Sequence, residues 1–160
     1  MQKTVLVTGC SSGIGLESAL DLTRQGFRVL AACRKAEDVA RMQELGLTGI
    51  LLDLDDPQSV ERAAAEVIAL TDNRLYGLFN NAGYGVYGPL NTISRQQMEQ
   101  QFSANFFGAH QLTMLLLPAM ISKRFGPSIG RTTMGCTTPC DLIESASSCR
   151  VSAFMSTLGW

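Results

Sequence analysis

Short apolar runs alternate with longer amphipathic stretches along the first half of the chain. Four apolar runs predict buried strands, at residues 5–7, 27–33, 50–52 and 75–79. The stretches between them have apolar residues at helical spacing and predict helices at residues 14–25, at residues 36–45 and from Pro57 onward. Strands that are apolar on both faces and alternate with helices indicate a parallel sheet covered on both sides. The predicted fold class is therefore α/β, with a doubly wound parallel sheet and helices on both faces.

A longer apolar helix is predicted after the fourth strand. Ser94 is a suitable N-cap, and the pattern extends the helix to Met120. Its predicted inner stripe consists of Met98, Phe102, Phe106, Ala109, Leu112 and Leu116. From residue 122 the chain is rich in Ser, Thr and Cys and shows neither a strand period nor a helix period. We therefore predict a folded domain at residues 1–121 and an atypical tail at residues 122–160.

The composition is that of an ordinary soluble globular protein. Apolar residues make up 46% of the chain, charged residues 17%, and the net charge is -1, so no basic surplus points to nucleic acid or to an anionic membrane. The N-terminal apolar run is too short for a signal peptide, and the apolar stretch at residues 112–121 is interrupted by Thr113 and Pro118. Five cysteines and a single histidine, without CxxC pairs, predict free thiols and no metal site. We expect a cytoplasmic protein that binds neither nucleic acid nor membrane.

The first strand runs directly into a glycine-rich turn, Thr8-Gly9-Cys10-Ser11-Ser12-Gly13-Ile14-Gly15. A strand that ends in glycine and turns into a helix presents free backbone N–H groups at a positive dipole end, which suits a phosphate or diphosphate. Glycine also lets the backbone approach a ligand closely. The candidate binding residues here are Gly9, Ser11, Ser12, Gly13, Ile14 and Gly15. Taken alone, this spacing equally fits a tight turn that binds nothing.

The T-G-x-x-x-G-I-G form resembles the short-chain dehydrogenase/reductase family, whose members have a Rossmann-like fold. Further matches follow in order over about residues 3 to 121. Asp53 follows the third strand where the family has an Asp that contacts adenine, and Asn81, Ala82 and Gly83 belong to the N-N-A-G motif after the fourth strand. Asn105 lies in the long helix where the family has its catalytic-site asparagine.

The resemblance implies that residues 1–121 form a dinucleotide-binding domain and that the C-terminal part of the fold is incomplete. It also implies that Asp53, Asn81, Ala82 and Gly83 bind the coenzyme, and it leaves a homo-oligomer open. Each motif has a structural alternative. Asp53 could cap a strand end, N-N-A-G could be a turn, and Asn105 could be a buried core amide with hydrogen-bond partners.

The end of the second strand bears on the choice of coenzyme. An acidic residue at this place selects NAD through the ribose 2′-hydroxyl, whereas arginine accommodates the 2′-phosphate of NADP. Here Arg34 and Lys35 follow the strand, and the first carboxylate is Glu37. The sequence therefore favours NADP over NAD, with Arg34 as the phosphate ligand. The alternative is that both cations belong to a solvated loop.

The family transfers hydride between nicotinamide and an alcohol or carbonyl carbon, with a Tyr as general acid/base and a Lys that lowers its pKa. This sequence contains no Y-x-x-x-K, because its tyrosines are Tyr76, Tyr84 and Tyr87 and its last lysine is Lys123. The resemblance implies an NADP-dependent oxidoreductase acting on a small alcohol or carbonyl compound, in a chain that is inactive as written. A truncated or frame-shifted family member and a non-catalytic nucleotide-binding or partner-binding module both remain open, as does a structural fragment without a ligand.

Overall fold

The computed structural model describes residues 2–121 and 131–134 of the 160-residue chain. Its strands are β1 (Thr4–Thr8), β2 (Arg28–Cys33), β3 (Thr48–Leu51), β4 (Gly77–Asn80) and β5 (Arg131–Met134). Its α-helices are α1 (Gly13–Arg24), α2 (Ala36–Glu44), α3 (Pro57–Leu70), α4 (Arg95–Phe102) and α5 (Ala109–Ile121). A 3₁₀ turn at Leu90–Thr92 precedes α4, and a π-helical segment at Ser103–Gly108 joins α4 to α5. The first four strands and first three helices confirm the predicted alternation.

The strands form one parallel sheet in the order β3-β2-β1-β4-β5. The chain runs from β1 outward to β3 on one side of the sheet and then returns to add β4 on the other side of β1. This reversal separates the loops that follow β1 and β4, and in open α/β sheets such a point is where ligands bind. The topology therefore predicts a crevice at the carboxyl ends of β1 and β4.

Two hydrophobic cores cover the two faces of the sheet. On one face Leu6 and Leu30 pack with Val60 and Val67 of α3 and with Leu112 of α5. On the other face Val7 and Ala31 pack with Leu22 of α1 and Met42 of α2. Successive residues of β1 and β2 thus enter opposite cores, which explains why these strands are apolar throughout. The predicted doubly wound α/β fold with helices on both faces is confirmed.

Strand β5 lies in the region predicted to be an atypical tail. Its backbone pairs in parallel with β4, from Gly77 opposite Arg131 to Asn80 opposite Met134. The apolar pattern did not predict this strand, since the segment reads RTTM; its place comes from pairing with β4, and threonine is compatible with a strand. The rest of residues 122–160 lies outside the described residues, so the division at residue 121 stays a prediction.

The long helix begins as predicted, but α4 buries none of its residues. Ser94 accepts a hydrogen bond from the Gln97 N–H at 3.3 Å, and the Gln97 side chain accepts one from the Ser94 N–H at 2.8 Å, which makes a capping box. The predicted inner positions Met98 and Phe102 are wrong, because these side chains are 38% and 48% exposed. The π-helical segment changes the phase of the helix, so that Ala104 and other small residues face the core instead.

The continuous helix Arg95–Ile121 is long and apolar enough, by length and composition, to cross a membrane. Buried positions account for 44% of its most apolar window. Leu112 and Leu116 lie in the core beside α3, and the core helix of a soluble protein passes the same test. The expectation that the chain has no membrane segment stays a prediction.

Candidate functional site

A cleft of about 320 Å³ opens at the carboxyl ends of the parallel strands, at the place that the topology predicts. The loops that follow β1, β2, β3 and β4 all contribute to it. The predicted coenzyme-binding residues on its lining are Gly9, Ser11, Ser12, Arg34, Asp53, Asn81, Ala82 and Gly83. The fold thus brings together motifs that are more than 70 positions apart in the chain. Their roles in binding stay predictions.

The three other predicted binding residues of the glycine motif, Gly13, Ile14 and Gly15, do not line the cleft. Gly13 has φ +59° and begins α1, whereas Ile14 is 72% exposed. Gly15 is buried, and a Cβ there would lie 2.3 Å from the Gly9 carbonyl oxygen and 2.5 Å from Asn81 Nδ2. Only glycine therefore lets α1 approach the loops after β1 and β4 this closely.

Thr8 ties the loops after β1 and β4 together. Its buried hydroxyl accepts hydrogen bonds from the backbone N–H groups of Asn81 at 3.0 Å and Ala82 at 2.9 Å. The Asn81 side chain returns a bond from Nδ2 to the Thr8 carbonyl oxygen at 3.0 Å. Thr8 opens the glycine motif in the sequence, but the sequence pattern alone did not indicate a role for its hydroxyl. Its position in the motif was the available signal.

Arg34 and Asp53 lie on the lining of the same cleft. Among the described residues Arg34 forms no ion pair, whereas Lys35 pairs with Glu37 at 3.3 Å. Asp53 Oδ1 accepts a hydrogen bond from the Asp55 N–H at 3.0 Å, which stabilises the turn after β3. One carboxylate oxygen of Asp53 thus stabilises the chain at the end of the strand, as the structural alternative has it. The residue also lines the cleft.

Asn105 lies in the π-helical segment and fixes the chain that follows β4. Its Oδ1 accepts from the Tyr84 N–H at 3.0 Å, and its Nδ2 donates to the Tyr84 carbonyl oxygen at 2.6 Å. The side chain is half-buried and has both hydrogen-bond partners, so it is not the core amide of the structural alternative, and its catalytic role stays a prediction. π-Helical turns inside α-helices are frequent at functional sites. Asn105 therefore positions Tyr84 on the rim of the cleft.

Six further residues line the cleft and were missed by sequence reasoning. They are Ala32, Leu52, Leu54, Asp55, Tyr84 and Ala104. Each lies within two positions of a predicted site residue, so proximity along the chain was the only signal. Burial, and then the charge of Asp55, raise the pKa of the Tyr84 phenol. The shift runs opposite to the lowered pKa that the family's general-base tyrosine requires.

The described cysteines are buried free thiols. Burial raises the pKa of Cys10 from 9.0 to about 12, and burial also raises the pKa of Cys33. Cys10 Sγ donates to the Val7 carbonyl oxygen at 3.2 Å, directly beneath the glycine loop. No cluster of three potential metal ligands occurs within the described residues, while the other three cysteines lie outside them. Cys10 is thus a packing residue of the loop.

Comparisons with known proteins agree with this geometry. The family model described as short chain dehydrogenase matches residues 3–141, a span that includes β5. The uncharacterized oxidoreductase YbbO of Escherichia coli K12 is 78% identical over 121 residues, which are 76% of this chain and 45% of that protein. Human retinol dehydrogenase 5 is 41% identical over 125 residues, covering 75% of this chain and 39% of the relative.

Solved structures share the same architecture. The NADPH-bound carbonyl reductase from chicken fatty liver superposes with a TM-score of 0.68 at 29% identity, over 74% of this chain and 51% of that one. The chain thus spans about half, or less, of the length of the relatives it matches. With its strand order, its glycine loop and the family match over residues 3–141, this chain belongs to the short-chain dehydrogenase/reductase family.

Proposed function

We propose that the cleft binds NADP and that the chain derives from an oxidoreductase that interconverts small alcohols and carbonyl compounds by hydride transfer. The observation that carries the proposal is the junction of the glycine loop with the loop after β4. Thr8 and Asn81 join the two loops through 3.0 Å hydrogen bonds, at the switch point of a parallel sheet. Folds of this type bind dinucleotides at that point.

The residues present fit a diphosphate. Gly9 has φ +73°, and a Cβ there would lie 2.8 Å from Ala82 Cα, so the cradle exists only with glycine. Within the described residues the Ser12 side chain makes no capping bond to α1, which leaves its hydroxyl and the first N–H groups of the helix for an anion. We expect Ser11 and Ser12 to contribute hydroxyl groups.

The ribose and adenine ends would be held by the loops after β2 and β3. Arg34 is exposed on the lining without an ion-pair partner among the described residues, so its guanidinium suits a 2′-phosphate. One carboxylate oxygen of Asp53 takes part in the local turn, and the other suits the adenine amino group. The NADPH-bound carbonyl reductase supports the same choice of coenzyme.

The bound coenzyme would supply or accept the hydride, and the family scheme needs a proton donor beside it. No tyrosine of this sequence precedes a lysine at the Y-x-x-x-K spacing. We therefore propose that the 160-residue chain binds the coenzyme without turnover. This observation also favours the second candidate function, a non-catalytic nucleotide-binding module.

The test is a titration of the full chain with NADPH and with NADH, in which binding is detected by coenzyme fluorescence. We expect NADPH to bind more tightly than NADH. Arg34→Gln should lower the affinity for NADPH by about tenfold or more, because a charge-assisted contact with phosphate is lost. Arg24→Gln is the matched control, since Arg24 is a 68% exposed arginine at the far end of α1. Failure of both coenzymes to bind, or equal weakening of both by Arg34→Gln, would contradict the proposal.

A second assay addresses turnover. The chain is mixed with NADPH and a panel of small aldehydes and ketones, and coenzyme oxidation is followed by absorbance. We expect no oxidation above the rate without protein. Measurable reduction of any member of the panel would show that the chain supplies a proton donor of its own and would overturn the proposal of binding without turnover.

A further inference from the structure

An arginine outside the cleft lining contacts both the glycine loop and an acidic residue of α2. Arg41 Nη2 donates a hydrogen bond to the Ser11 carbonyl oxygen, and the same nitrogen lies 3.4 Å from Asp38 Oδ1. Ser11 lines the cleft, whereas Arg41 and Asp38 come from the helix that follows β2. Because one nitrogen contacts both oxygens, the Asp38 carboxylate lies within a few ångströms of the loop backbone.

Asp38 thus stands near the end of β2, although it is five positions beyond that strand in the sequence. Its side chain is only 21% exposed, against 47% for Arg41. After burial, the charge of Asp38 is the next cause that raises the pKa of Cys33, the last residue of β2, and Arg41 opposes it. An uncompensated carboxylate at this end of a dinucleotide-binding strand favours a ribose 2′-hydroxyl and repels a 2′-phosphate.

We propose that Arg41 is a specificity-determining residue for NADP, because it holds Asp38 in an ion pair against the Ser11 carbonyl and so removes a carboxylate's repulsion of the 2′-phosphate. This inference rests on the proposed NADP binding. Arg34 then acts as the direct phosphate ligand, and Arg41 acts through Asp38. Loss of Arg41 should therefore lower the affinity for NADPH selectively, since NADH carries no 2′-phosphate.

The experiment compares the full chain with the variants Arg41→Gln, Asp38→Asn and the double variant Asp38→Asn/Arg41→Gln. Dissociation constants for NADPH and NADH are measured by coenzyme fluorescence, and 2′,5′-ADP and 5′-ADP serve as competitors that isolate the 2′-phosphate. Arg24→Gln is the control, because Arg24 forms the same i,i+3 pair with Asp21 on α1, at 4.0 Å. Thermal melts show whether each variant is folded.

We expect Arg41→Gln to lower the affinities for NADPH and 2′,5′-ADP by about tenfold, and to change the affinities for NADH and 5′-ADP by less than about threefold. The double variant should regain most of the NADPH affinity, because the unpaired carboxylate is gone. Asp38→Asn alone should keep or raise the preference for NADPH, and this test does not depend on the folding of Arg41→Gln.

Any one of the following results would overturn the inference. Arg41→Gln could weaken both coenzymes equally, which would make Arg41 a purely structural tether of the loop. The double variant could fail to recover NADPH affinity, or Asp38→Asn could reduce the preference for NADPH. If the unaltered chain binds neither coenzyme, the proposed function fails and takes this inference with it. If NADPH binding depends on Arg34 but not on Arg41, only the inference fails.

Discussion

Replacement of Gly9 by alanine should damage both the fold and the coenzyme site. Gly9 has φ +73°, a left-handed conformation that costs an L-residue about 1–2 kcal/mol. The added Cβ would lie 2.8 Å from Ala82 Cα and 3.1 Å from Asn81 Nδ2. Because the first of these neighbours is backbone, the loops must separate, and overpacking of this kind costs about 1–3 kcal/mol. The expected total loss is about 2–5 kcal/mol in the free energy of unfolding.

Gly26→Ala is the matched control, because it measures the cost of the left-handed backbone conformation alone. Gly26 has φ +88° at the other end of α1, and a Cβ there would meet nothing within 4 Å. Its expected cost is therefore the left-handed penalty alone, about 1–2 kcal/mol. For a chain of 160 residues, each kcal/mol lowers Tm by about 2–4 °C. Gly9→Ala should melt several degrees below Gly26→Ala.

The assay combines thermal unfolding with NADPH titration of both variants. Gly26→Ala should bind NADPH as the unaltered chain does, because its site lies far from the cleft. Gly9→Ala should lose measurable binding even at temperatures where it is folded, because the loop amides move from the cradle. Equal melting temperatures of the two variants, together with unchanged NADPH affinity of Gly9→Ala, would show that the close approach at Gly9 shapes neither the fold nor the site.

Two further predictions concern the residues beneath the loop. Thr8→Val leaves the N–H groups of Asn81 and Ala82 without their acceptor, so the free energy of unfolding should fall by about 2–4 kcal/mol in denaturant titrations. Thr8→Ser keeps a hydroxyl and should retain most of the stability. Equal losses in the two variants would contradict the role of the hydroxyl. Burial raises the pKa of Cys10 from 9.0 to about 12, so the unfolded thiol ionises first, and stability is complete below about pH 9 and declines toward pH 12. In Cys10→Ala the free energy of unfolding should fall less steeply over this pH range, by up to about 1.4 kcal/mol per pH unit. Identical pH profiles of the variant and the unaltered chain would show that the thiol does not contribute.

The sequence predicted the α/β fold because the periodicity of burial is a local property. The four predicted strands and first three helices lie within about two residues of their observed bounds. Strand β5 escaped prediction because its segment, Arg131–Met134, owes its conformation to backbone pairing with β4. Met98 and Phe102 were placed on the wrong face because a 3.6-residue period cannot represent the π-helical segment Ser103–Gly108.

Part of the candidate site could likewise be predicted from the sequence, and part of it could not. Gly9 was identifiable because a glycine turn between a strand and a helix suits a phosphate, and Asn81 because the resemblance to the family includes its N-N-A-G motif. The bonds that hold the site are long-range contacts between side chain and backbone, and local patterns do not encode them. The Thr8 hydroxyl bonds to a residue 73 positions away, and the Arg41 guanidinium contacts a carbonyl 30 positions away. Such contacts emerge only from the packed structure.

A crystal structure of the full chain grown with saturating NADPH would test directly whether the glycine loop is a dinucleotide site. We expect electron density for the diphosphate against the backbone amides of the loop between β1 and α1, with the 2′-phosphate at Arg34 and adenine beside Asp53. Coenzyme bound elsewhere on the molecule, or a cleft without density at saturating NADPH, would contradict the claim that this loop is a dinucleotide site.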